Sequence, residues 1–370
     1  MKPAAVIAIF ALAGCAAPGP LSPGAADSLK LPARYDGSPP PVPQLVSSLS
    51  GLFADSALNA TVRRALAQNP GLRGACARME EAGFNARKTS SALYPTLDAR
   101  ASAGRSDTAF ASASSSHTVA FDARWELDVW GRIRTGVDAA AADQAAAIAD
   151  FENARQSLAA QTMQAWFELV SAEKRLALGQ RRLASFDETR TLVTRRFELG
   201  TATFAESELT RTDSENARAD IQLLVDNRDQ AARVVKLLTG DYPDAKLAAS
   251  TWPSLARSVP TGVPSELLRK RPDIDAAYQR IRAADSRVKV AHADLFPSFP
   301  LTASGGDTSR TLTDLARSGY SSWSVLAPLS APVFDGGRRR AELGAAGKRA
   351  EQALATYQSA VLSALREVED

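Results

Sequence analysis

Two stretches of the chain alternate apolar and polar residues with the period of a β-strand. From Thr96 to Ala103 polar residues take the even positions, and from Thr118 to Val129 apolar residues take the odd positions. The second stretch places four charged residues on its polar side: Asp122, Arg124, Glu126 and Asp128. The alternation predicts two strands with one apolar and one polar face. A soluble sandwich and a membrane β-barrel with a wet interior both fit this pattern.

A longer stretch has the period of a coiled-coil helix. No proline occurs between Pro95 and Pro243. Two seams with a seven-residue repeat occur there, one apolar or small throughout and the other apolar at five of its eight positions. This pattern predicts a helix from Arg132 to Glu198, about 100 Å long. Gly200 then predicts a helix end, and the Thr203–Glu206 capping box predicts a second helix to about Thr239. The predicted seam residues of the first helix are Ile148, Arg155, Thr162, Leu169, Leu176, Leu183, Arg190 and Phe197 on one side, and Phe151, Leu158, Ala165, Ala172, Gly179, Phe186 and Val193 on the other.

The helix and strand signals occur twice. Tyr94-Pro95 recurs as Phe296-Pro297, and Gly131-Arg132 recurs as Gly337-Arg338. Two further alternating segments, Phe299–Ala303 and Trp323–Val333, occupy the corresponding places in the second copy. We therefore interpret the chain as a duplicated unit of helix, β-hairpin and long helix.

Four strands per chain cannot close a membrane barrel, because the smallest closed barrels have about eight strands. An open sheet edge cannot face lipid, since its backbone groups would have no hydrogen-bond partner there. A barrel would therefore need several copies of the chain. Two, three or four copies would supply eight, twelve or sixteen strands.

The N-terminus has the pattern of a secretory signal. An apolar stretch from Ala4 to Ala13 follows Lys2, and Gly14 and Cys15 come directly after it. Leu12, Ala13, Gly14 and Cys15 resemble the bacterial lipobox, in which the cysteine is lipidated and becomes the mature N-terminus. Residue 16 is alanine rather than aspartate, which resembles the pattern of lipoproteins sent to the outer membrane. An ordinary signal peptide with a chance cysteine is the alternative.

These features predict four segments. Residues 1–14 form the lipoprotein signal peptide, and residues 15–52 form a Pro-rich lipidated tether, since nine of the chain's 20 prolines precede residue 44. Residues 53–255 contain the first repeat of helix, β-hairpin and long helical hairpin. Residues 256–370 contain the second repeat, whose long helix is shortened.

Composition excludes several functional classes. The 44 Lys and Arg against 41 Asp and Glu give a net charge of +3, too even for a nucleic-acid-binding surface. Two cysteines and two histidines make neither a disulfide framework nor a metal site. Phosphate-binding, dinucleotide-binding, nucleophile-elbow and zinc-protease motifs do not occur in the sequence. We predict that the protein is not an enzyme.

Five segments together resemble the signature segments of TolC-like outer-membrane efflux proteins. With the lipobox, the resemblance is to the lipoprotein (NodT-type) branch, which serves resistance–nodulation–division pumps. It extends in order from about residue 53 to the end of the chain. The segments are Ser91–Leu97, Trp125–Arg132, Arg269–Ile274, Phe296–Ser298 and Val333–Arg338.

The resemblance implies an α+β membrane protein with an internal two-fold repeat. Three copies would form a homotrimeric twelve-stranded β-barrel in the outer membrane, four strands per chain, on a long α-helical coiled-coil tunnel that extends into the periplasm. The channel would passively export drugs or other small toxic compounds, delivered by an inner-membrane resistance–nodulation–division transporter and a periplasmic adaptor. No metal, nucleic acid or cofactor is implied, apart from the covalent lipid on Cys15.

The resemblance also assigns site residues. Leu199, Gly200 and Thr201 resemble the helix-tip motif that contacts the adaptor. Seven residues occupy strand–helix junctions, where glycine permits a tight bend and arginine suits the polar boundary of a membrane. Ordinary solvated charge is the alternative for the arginines. The junction residues are Trp130, Gly131, Arg132, Asp335, Gly336, Gly337 and Arg338.

The second long helix departs from the family pattern. Only 33 residues remain from Arg338 onward, enough for about 50 Å of helix. The resemblance implies a second helix as long as the first, followed by its own return helix and a second helix tip. We therefore expect that this chain by itself does not form a sealed tunnel.

Two other functions stay open on the sequence. A secreted coiled-coil structural or adhesive lipoprotein would explain the heptads and the lipobox, but not the duplicated alternating hairpins. A periplasm-facing lipoprotein enzyme would need a convergent cluster of titratable residues, and the sequence indicates none.

Overall fold

The computed structural model describes residues 19–21, 24, 52–108, 111–249, 251–256, 270–316 and 321–369. Within these ranges the chain forms helices joined to a single four-stranded sheet. The helices are α1 (Ser56–Gln68), α2 (Pro70–Ser90), α3 (Arg132–Glu198), α4 (Phe204–Leu238), α5 (Pro272–Ala293) and α6 (Arg338–Glu369). The strands are β1 (Thr96–Thr108), β2 (Ala111–Leu127), β3 (Phe299–Ser309) and β4 (Ser321–Leu326). The predicted lipobox and most of the predicted tether lie outside the described residues.

The strands are antiparallel in the order β1–β2–β3–β4, and their register gathers the apolar residues on one face. Leu97 pairs with Ala123, Ala123 with Ala303, and Ala303 with Val325, so one apolar row crosses all four strands. The neighbouring row on the opposite face contains Asp98, Asp122, Ser304 and Ser324. This register confirms the alternation predicted from the sequence.

The strand ends differ from the prediction. Both strands extend further towards the loop that joins them than the alternating segments predict: β1 continues from Ala103 to Thr108, and β2 already begins at Ala111. At its other end β2 stops at Leu127, so Val129 lies outside the strand. The prediction that the fourth strand continues to Val333 is wrong, because β4 ends at Leu326. Pro328 and Pro332 follow, and proline has no N–H to donate to a sheet. Beyond β4 only an isolated bridge pairs Ser298 with Ser330.

A glycine permits the closest approach between β2 and β3. Gly306 is paired with Ala120, and a Cβ built on Gly306 would lie 2.6 Å from the Ala120 Cα and would collide with the Val119 carbonyl oxygen. The adjacent Gly305 points to the other face, and a Cβ there would be 4.0 Å from its nearest atoms. Only Gly306 is therefore required for strand packing.

The described residues fall into two compact units. The first contains Glu80–Ala147, Asp273–Glu367 and the described residues before Leu31, so it holds the sheet, α5 and α6. Its helical core is built from small side chains of α5 and α6, with a buried aromatic contact between Tyr278 and Tyr357, whose ring centroids are 6.3 Å apart. Burial raises the pKa of the Tyr357 hydroxyl, with a smaller contribution from Tyr278.

The second unit contains α1, α4 and most of α3. Leu58 of α1 and Leu169 of α3 are fully buried in its core, where each contributes about 1.5–3 kcal/mol through the hydrophobic effect. The ring of Phe167 lies between those of Phe53 and Trp252, at centroid distances of 5.0 and 6.1 Å. An isolated antiparallel bridge also pairs Phe53 with Leu255.

The coiled-coil prediction is confirmed where α3 packs on α4. Gly179 lies so close to α4 that an added Cβ would be 2.6 Å from the Leu224 Cδ1 atom. Nearer the turn, polar pairs replace apolar ones: Ser214 donates to Asp187 at 2.5 Å, and Arg190 lies 3.5 Å from Glu215. None of the described helices has the length and hydropathy that a membrane-spanning helix needs.

We predict that Gly306→Ala destabilises the sheet, whereas Gly305→Ala does not. The added methyl at position 306 must displace backbone atoms of β2, and overpacking of this kind costs about 1–3 kcal/mol. Thermal unfolding of the protein in detergent, followed by circular dichroism, measures the difference. Equal midpoints for the two variants would contradict the close packing of β2 against β3.

Candidate functional sites: a helix tip and two strand–helix junctions

The turn between α3 and α4 is closed by backbone hydrogen bonds around a left-handed glycine. Gly200 has φ of +71°, the conformation that glycine adopts most readily. The Gly200 N–H donates to the Phe197 carbonyl at 2.9 Å, and the Thr201 N–H donates to the Arg196 carbonyl at 2.8 Å. These bonds satisfy the last carbonyl groups of α3, in the manner of a glycine C-cap.

The start of α4 is fixed by the predicted capping box. The Glu206 N–H donates to the Thr203 hydroxyl at 3.2 Å, and the Thr203 N–H donates to the Glu206 carboxylate at 2.6 Å. Bonds from the Thr203 backbone and hydroxyl, helped by the charge of Arg196, lower the pKa of Glu206. The turn is therefore rigidly defined at both ends.

The tip presents apolar side chains to its surroundings. Leu199 is 73% exposed and Phe204 is 66% exposed. The ring of Phe204 also contacts that of Phe197, with centroids 6.1 Å apart. Sequence reasoning did not single out Phe204, although an aromatic residue directly after a helix cap was a usable signal. An exposed apolar patch on a rigid turn suits contact with another protein.

The first junction joins β2 to α3 through Trp130, Gly131 and Arg132. The Trp130 indole stacks on Phe296 with a centroid distance of 4.9 Å, and its N–H donates to the Pro297 carbonyl at 2.6 Å. Gly131 has φ of +73°, which turns the chain from strand to helix. These contacts link the first repeat unit to the start of the second hairpin.

Charged groups cap α3 at this junction. The Asp128 carboxylate accepts the Ile133 and Arg134 backbone N–H groups, both at 2.9 Å. Burial alone would raise the pKa of Asp128, but these two N–H groups and the Arg134 side chain outweigh it and lower the pKa. Anionic groups at a helix N-terminus are also favoured by the helix dipole.

Arg132 is held by two acidic groups. Its guanidinium donates to Glu126 at 2.7 Å and lies 3.7 Å from the Asp294 carboxylate. Partial burial would lower the pKa of Arg132, but its bond to Glu126 and the charges of Glu126 and Asp294 raise it. Arg132 therefore belongs to an ion-pair network at the junction.

The residues predicted at the second junction, Asp335, Gly336, Gly337 and Arg338, lie at the start of α6, whereas β4 already ends at Leu326. Gly336 and Gly337 have φ of 64° and 86°, and Asp335 accepts the Gly337 and Arg339 backbone N–H groups at 3.0 and 3.2 Å. The Arg339 side chain donates to the Asp294 carbonyl, so Asp294 contacts both junctions. Arg338 itself is exposed.

Metal-ligating residue types are dispersed in the part of the chain that the structure describes. Over these ranges, no three His, Cys, Asp or Glu side chains are placed to hold a metal ion. Asp273 and Asp275 lie in the first turn of α5, where the helix dipole favours acidic side chains. The predicted lipidation site, Cys15 with Leu12, Ala13 and Gly14, lies outside the described residues. The assigned roles of the tip and junction residues stay predictions.

Comparison with known proteins places these features in a family. The outer membrane efflux protein family matches residues 61–241 and 263–370. Outer membrane protein OprJ of Pseudomonas aeruginosa is 33% identical over 329 residues, which cover 86% of this chain and 69% of OprJ. The probable outer membrane lipoprotein SilC of Salmonella typhimurium is 27% identical over 397 residues, covering 100% of this chain and 82% of SilC.

A solved structure agrees with the sequence matches. The structure of the outer-membrane channel OprN has a TM-score of 0.84 to this chain at 30% identity, and the match covers 92% of this chain and 79% of OprN. The antiparallel sheet, the long α3–α4 hairpin and the sequence matches agree with one another. The chain therefore belongs to the outer membrane efflux protein family.

Proposed function

We propose that the chain is the outer-membrane channel subunit of a tripartite efflux pump. Three copies form a passive conduit through which drugs or other small toxic compounds leave the cell. A periplasmic adaptor and an inner-membrane resistance–nodulation–division transporter deliver these compounds. A lipid on Cys15 adds a second attachment to the outer membrane.

The main support for this proposal is the exposed apolar face of the sheet. Leu97 is 70% exposed and Trp323 is 82% exposed, although both lie on the face that gathers the apolar residues of all four strands. A water-exposed apolar face of this size is unfavourable, whereas contact with lipid removes the cost. The opposite face suits a water-filled interior, because it contains hydroxyl groups and the ion pairs Arg100–Asp122 and Arg124–Asp98.

The sheet order supports assembly from several chains. β1 and β4 are the edges of the described sheet, so each has one side without a strand partner there. In lipid these backbone groups need partners, which β1 and β4 of neighbouring copies can supply. Three copies give a closed barrel of twelve strands.

The helix tip supports the proposed adaptor contact. Leu199 is displayed on a turn that Gly200 and the Thr203–Glu206 capping box hold in one conformation. A preformed apolar contact loses little conformational entropy on binding, which favours docking of a partner helix pair.

The first prediction tests the lipid-facing role of the sheet. Val325→Arg should reduce insertion into the outer membrane, because arginine on the lipid face of a barrel is unfavourable, by up to about 2–4 kcal/mol at the bilayer midplane and by less towards the strand ends. Ser324→Arg is the matched control, since Ser324 is the adjacent residue and points to the polar face. The measurements are outer-membrane fractionation, chemical cross-linking of trimers and pore formation in planar bilayers. Equal insertion of both variants, or a wild-type monomer stable without detergent, would contradict the proposal.

A second prediction concerns the lipid. Cys15→Ala should lower membrane retention while the barrel still inserts, because the lipid and the apolar sheet are separate attachments. Fractionation after an alkaline carbonate wash measures retention, and the mass of the N-terminal peptide reports the lipid. Cys76→Ala is the control for loss of a thiol. An unchanged fractionation profile would count against lipidation.

A third prediction concerns the tip. Leu199→Asp should weaken adaptor binding about tenfold or more, because burying a leucine contributes about 1.5–3 kcal/mol. Leu178→Asp is the control, since Leu178 is an exposed leucine within α3 and lies away from the tip. Binding of the purified adaptor is measured directly, and bilayer conductance checks that the channel is intact. Equal weakening by the two variants would exclude a specific contact at the tip.

A further inference from the structure

Three contacts across the α3–α4 hairpin share one register. One is a contact between aromatic rings near the turn, and two are hydrogen-bonded pairs further along the helices. In each pair the two residue numbers add up to 401, as two antiparallel helices in a single register require. All three pairs lie in the second compact unit. The pairs are Phe197 with Phe204, Asp187 with Ser214, and Glu173 with Arg228.

The first part of α4 repeats one heptad. Residues 207–213 and 214–220 both read Ser-Glu-x-x-Arg-x-Asp. A seven-residue repeat presents the same side chains on the same face of a helix after two turns. Either heptad can therefore occupy the same place opposite α3. The repeated residues are Ser207 and Ser214, Glu208 and Glu215, Arg211 and Arg218, and Asp213 and Asp220.

In the structure the second heptad takes this place. Ser214 donates to Asp187 at 2.5 Å, and Arg218 lies 3.5 Å from the same carboxylate. Glu215 lies 3.5 Å from Arg190. A shift of α4 by one heptad, about 10 Å, would bring the same chemical groups of the first heptad to Asp187 and Arg190. These polar contacts therefore do not distinguish the observed register from the shifted one.

Arg228 does distinguish the two registers. In the shifted register the numbers of facing residues would add up to 394 rather than 401. Glu173 would then face Ile221. Arg228 would face Trp166, which is 5% exposed in the apolar core of the second unit. A guanidinium group buried there without an acidic partner is strongly unfavourable, so Arg228 is compatible with only one of the registers.

The observed register gives Arg228 four hydrogen-bond partners. Its guanidinium donates to Glu173 at 3.1 Å and to Asp229 at 2.9 Å. It also donates to the carbonyl oxygens of Ala245 and Leu247, at 2.8 and 3.2 Å, in the segment after α4. The Arg228 side chain is only 22% exposed, so these bonds replace much of its contact with water. Because Glu173 lies on α3, its bond ties the whole set to the observed register.

The register also decides which residues form the tip. Facing residue numbers that add up to 401 centre the turn between Gly200 and Thr201, where the chain passes from α3 to α4. A sum of 394 would centre the turn on Phe197. Leu199, Gly200 and Thr201 would then belong to the arm of α4 and would no longer be displayed at the tip.

We propose that Arg228 is a positioning residue that selects the register of the α3–α4 hairpin and thereby keeps Leu199, Gly200 and Thr201 in the turn. It acts from a distance, because it lies 24 residues, or about 36 Å along the helix, from the start of α4 at Phe204. The importance of this register for adaptor binding rests on the proposed function. The register itself does not, because it is a property of the hairpin alone.

Disulfide formation between introduced cysteines tests the register in the full chain in detergent. Cys76→Ala first removes the free cysteine of the described residues. Gln180→Cys with Ile221→Cys then reports the observed register, and Glu173→Cys with Ile221→Cys reports the shifted one. The reporters differ by one heptad, about 10 Å, which is beyond the reach of a disulfide. Peptide mass after proteolysis quantifies each disulfide.

Arg228→Leu should increase the shifted-register disulfide about tenfold or more, because leucine is compatible with the apolar surroundings of Trp166. The shifted-register reporter lacks Glu173 with or without this substitution, so the comparison isolates the charge at position 228 from the loss of the ion pair. Arg228→Met keeps most of the side-chain length and should give the same increase, so the test does not depend on the folding of one variant.

Two control variants should keep the observed register. Arg228→Lys retains the positive charge, which remains unfavourable next to Trp166. Arg233→Leu removes a half-exposed arginine of the same helix that pairs only weakly, at 3.9 Å, with Asp229. If Arg228→Leu and Arg228→Met form only the disulfide of the observed register, the proposal is overturned.

Binding of the purified adaptor tests the consequence at the tip. Arg228→Leu should weaken binding about tenfold or more, and Arg228→Lys should retain it. If the register shifts without weaker binding, although Leu199→Asp does weaken it, the positioning role is overturned. If the register does not shift and Leu199→Asp weakens binding, this inference fails and the proposed adaptor contact stands. If the register shifts and Leu199→Asp has no effect, the adaptor contact fails and the selection of the register by Arg228 stands.

Discussion

Backbone hydrogen bonding at the sheet edges is the constraint on which the assembly depends. Lipid offers no donors or acceptors, so each unpaired N–H or C=O in hydrocarbon costs several kcal/mol. The described sheet ends at β1 on one side and at β4 on the other. With the apolar face in lipid, a single chain would leave both edges unpaired. The alternation therefore suits the sheet to a membrane only when its edges are paired, and an isolated chain cannot pair them. Insertion of the sheet into lipid consequently requires assembly of the trimer.

At the junctions the pattern of apolar side chains changes from the two-residue period of a strand to the seven-residue period of a coiled-coil helix. A strand that becomes a helix must turn sharply and must satisfy the free N–H groups of the first helical turn. Gly131 and Gly337 supply the positive φ angles, and Asp128 and Asp335 accept the N–H groups. Both repeats use the same pair of groups at the helix start, although β2 ends next to Asp128 and β4 ends at Leu326, well before Asp335. The duplicated unit therefore retains its junction chemistry more closely than its strands.

The sequence predicted secondary structure well where one hydrophobic period extends over many residues. Helix Arg132–Glu198 and the Thr203–Glu206 cap were predicted from the sequence and are present in the structure. The end of β4 was not predicted from the sequence, because the alternation of apolar and polar residues continues through Trp323–Val333. Pro328 and Pro332 lack the N–H groups that strand pairing needs. Contacts between distant segments were also missed. Nothing in the local pattern indicates that Trp130 stacks on Phe296, or that Arg132 and Arg339 both contact Asp294.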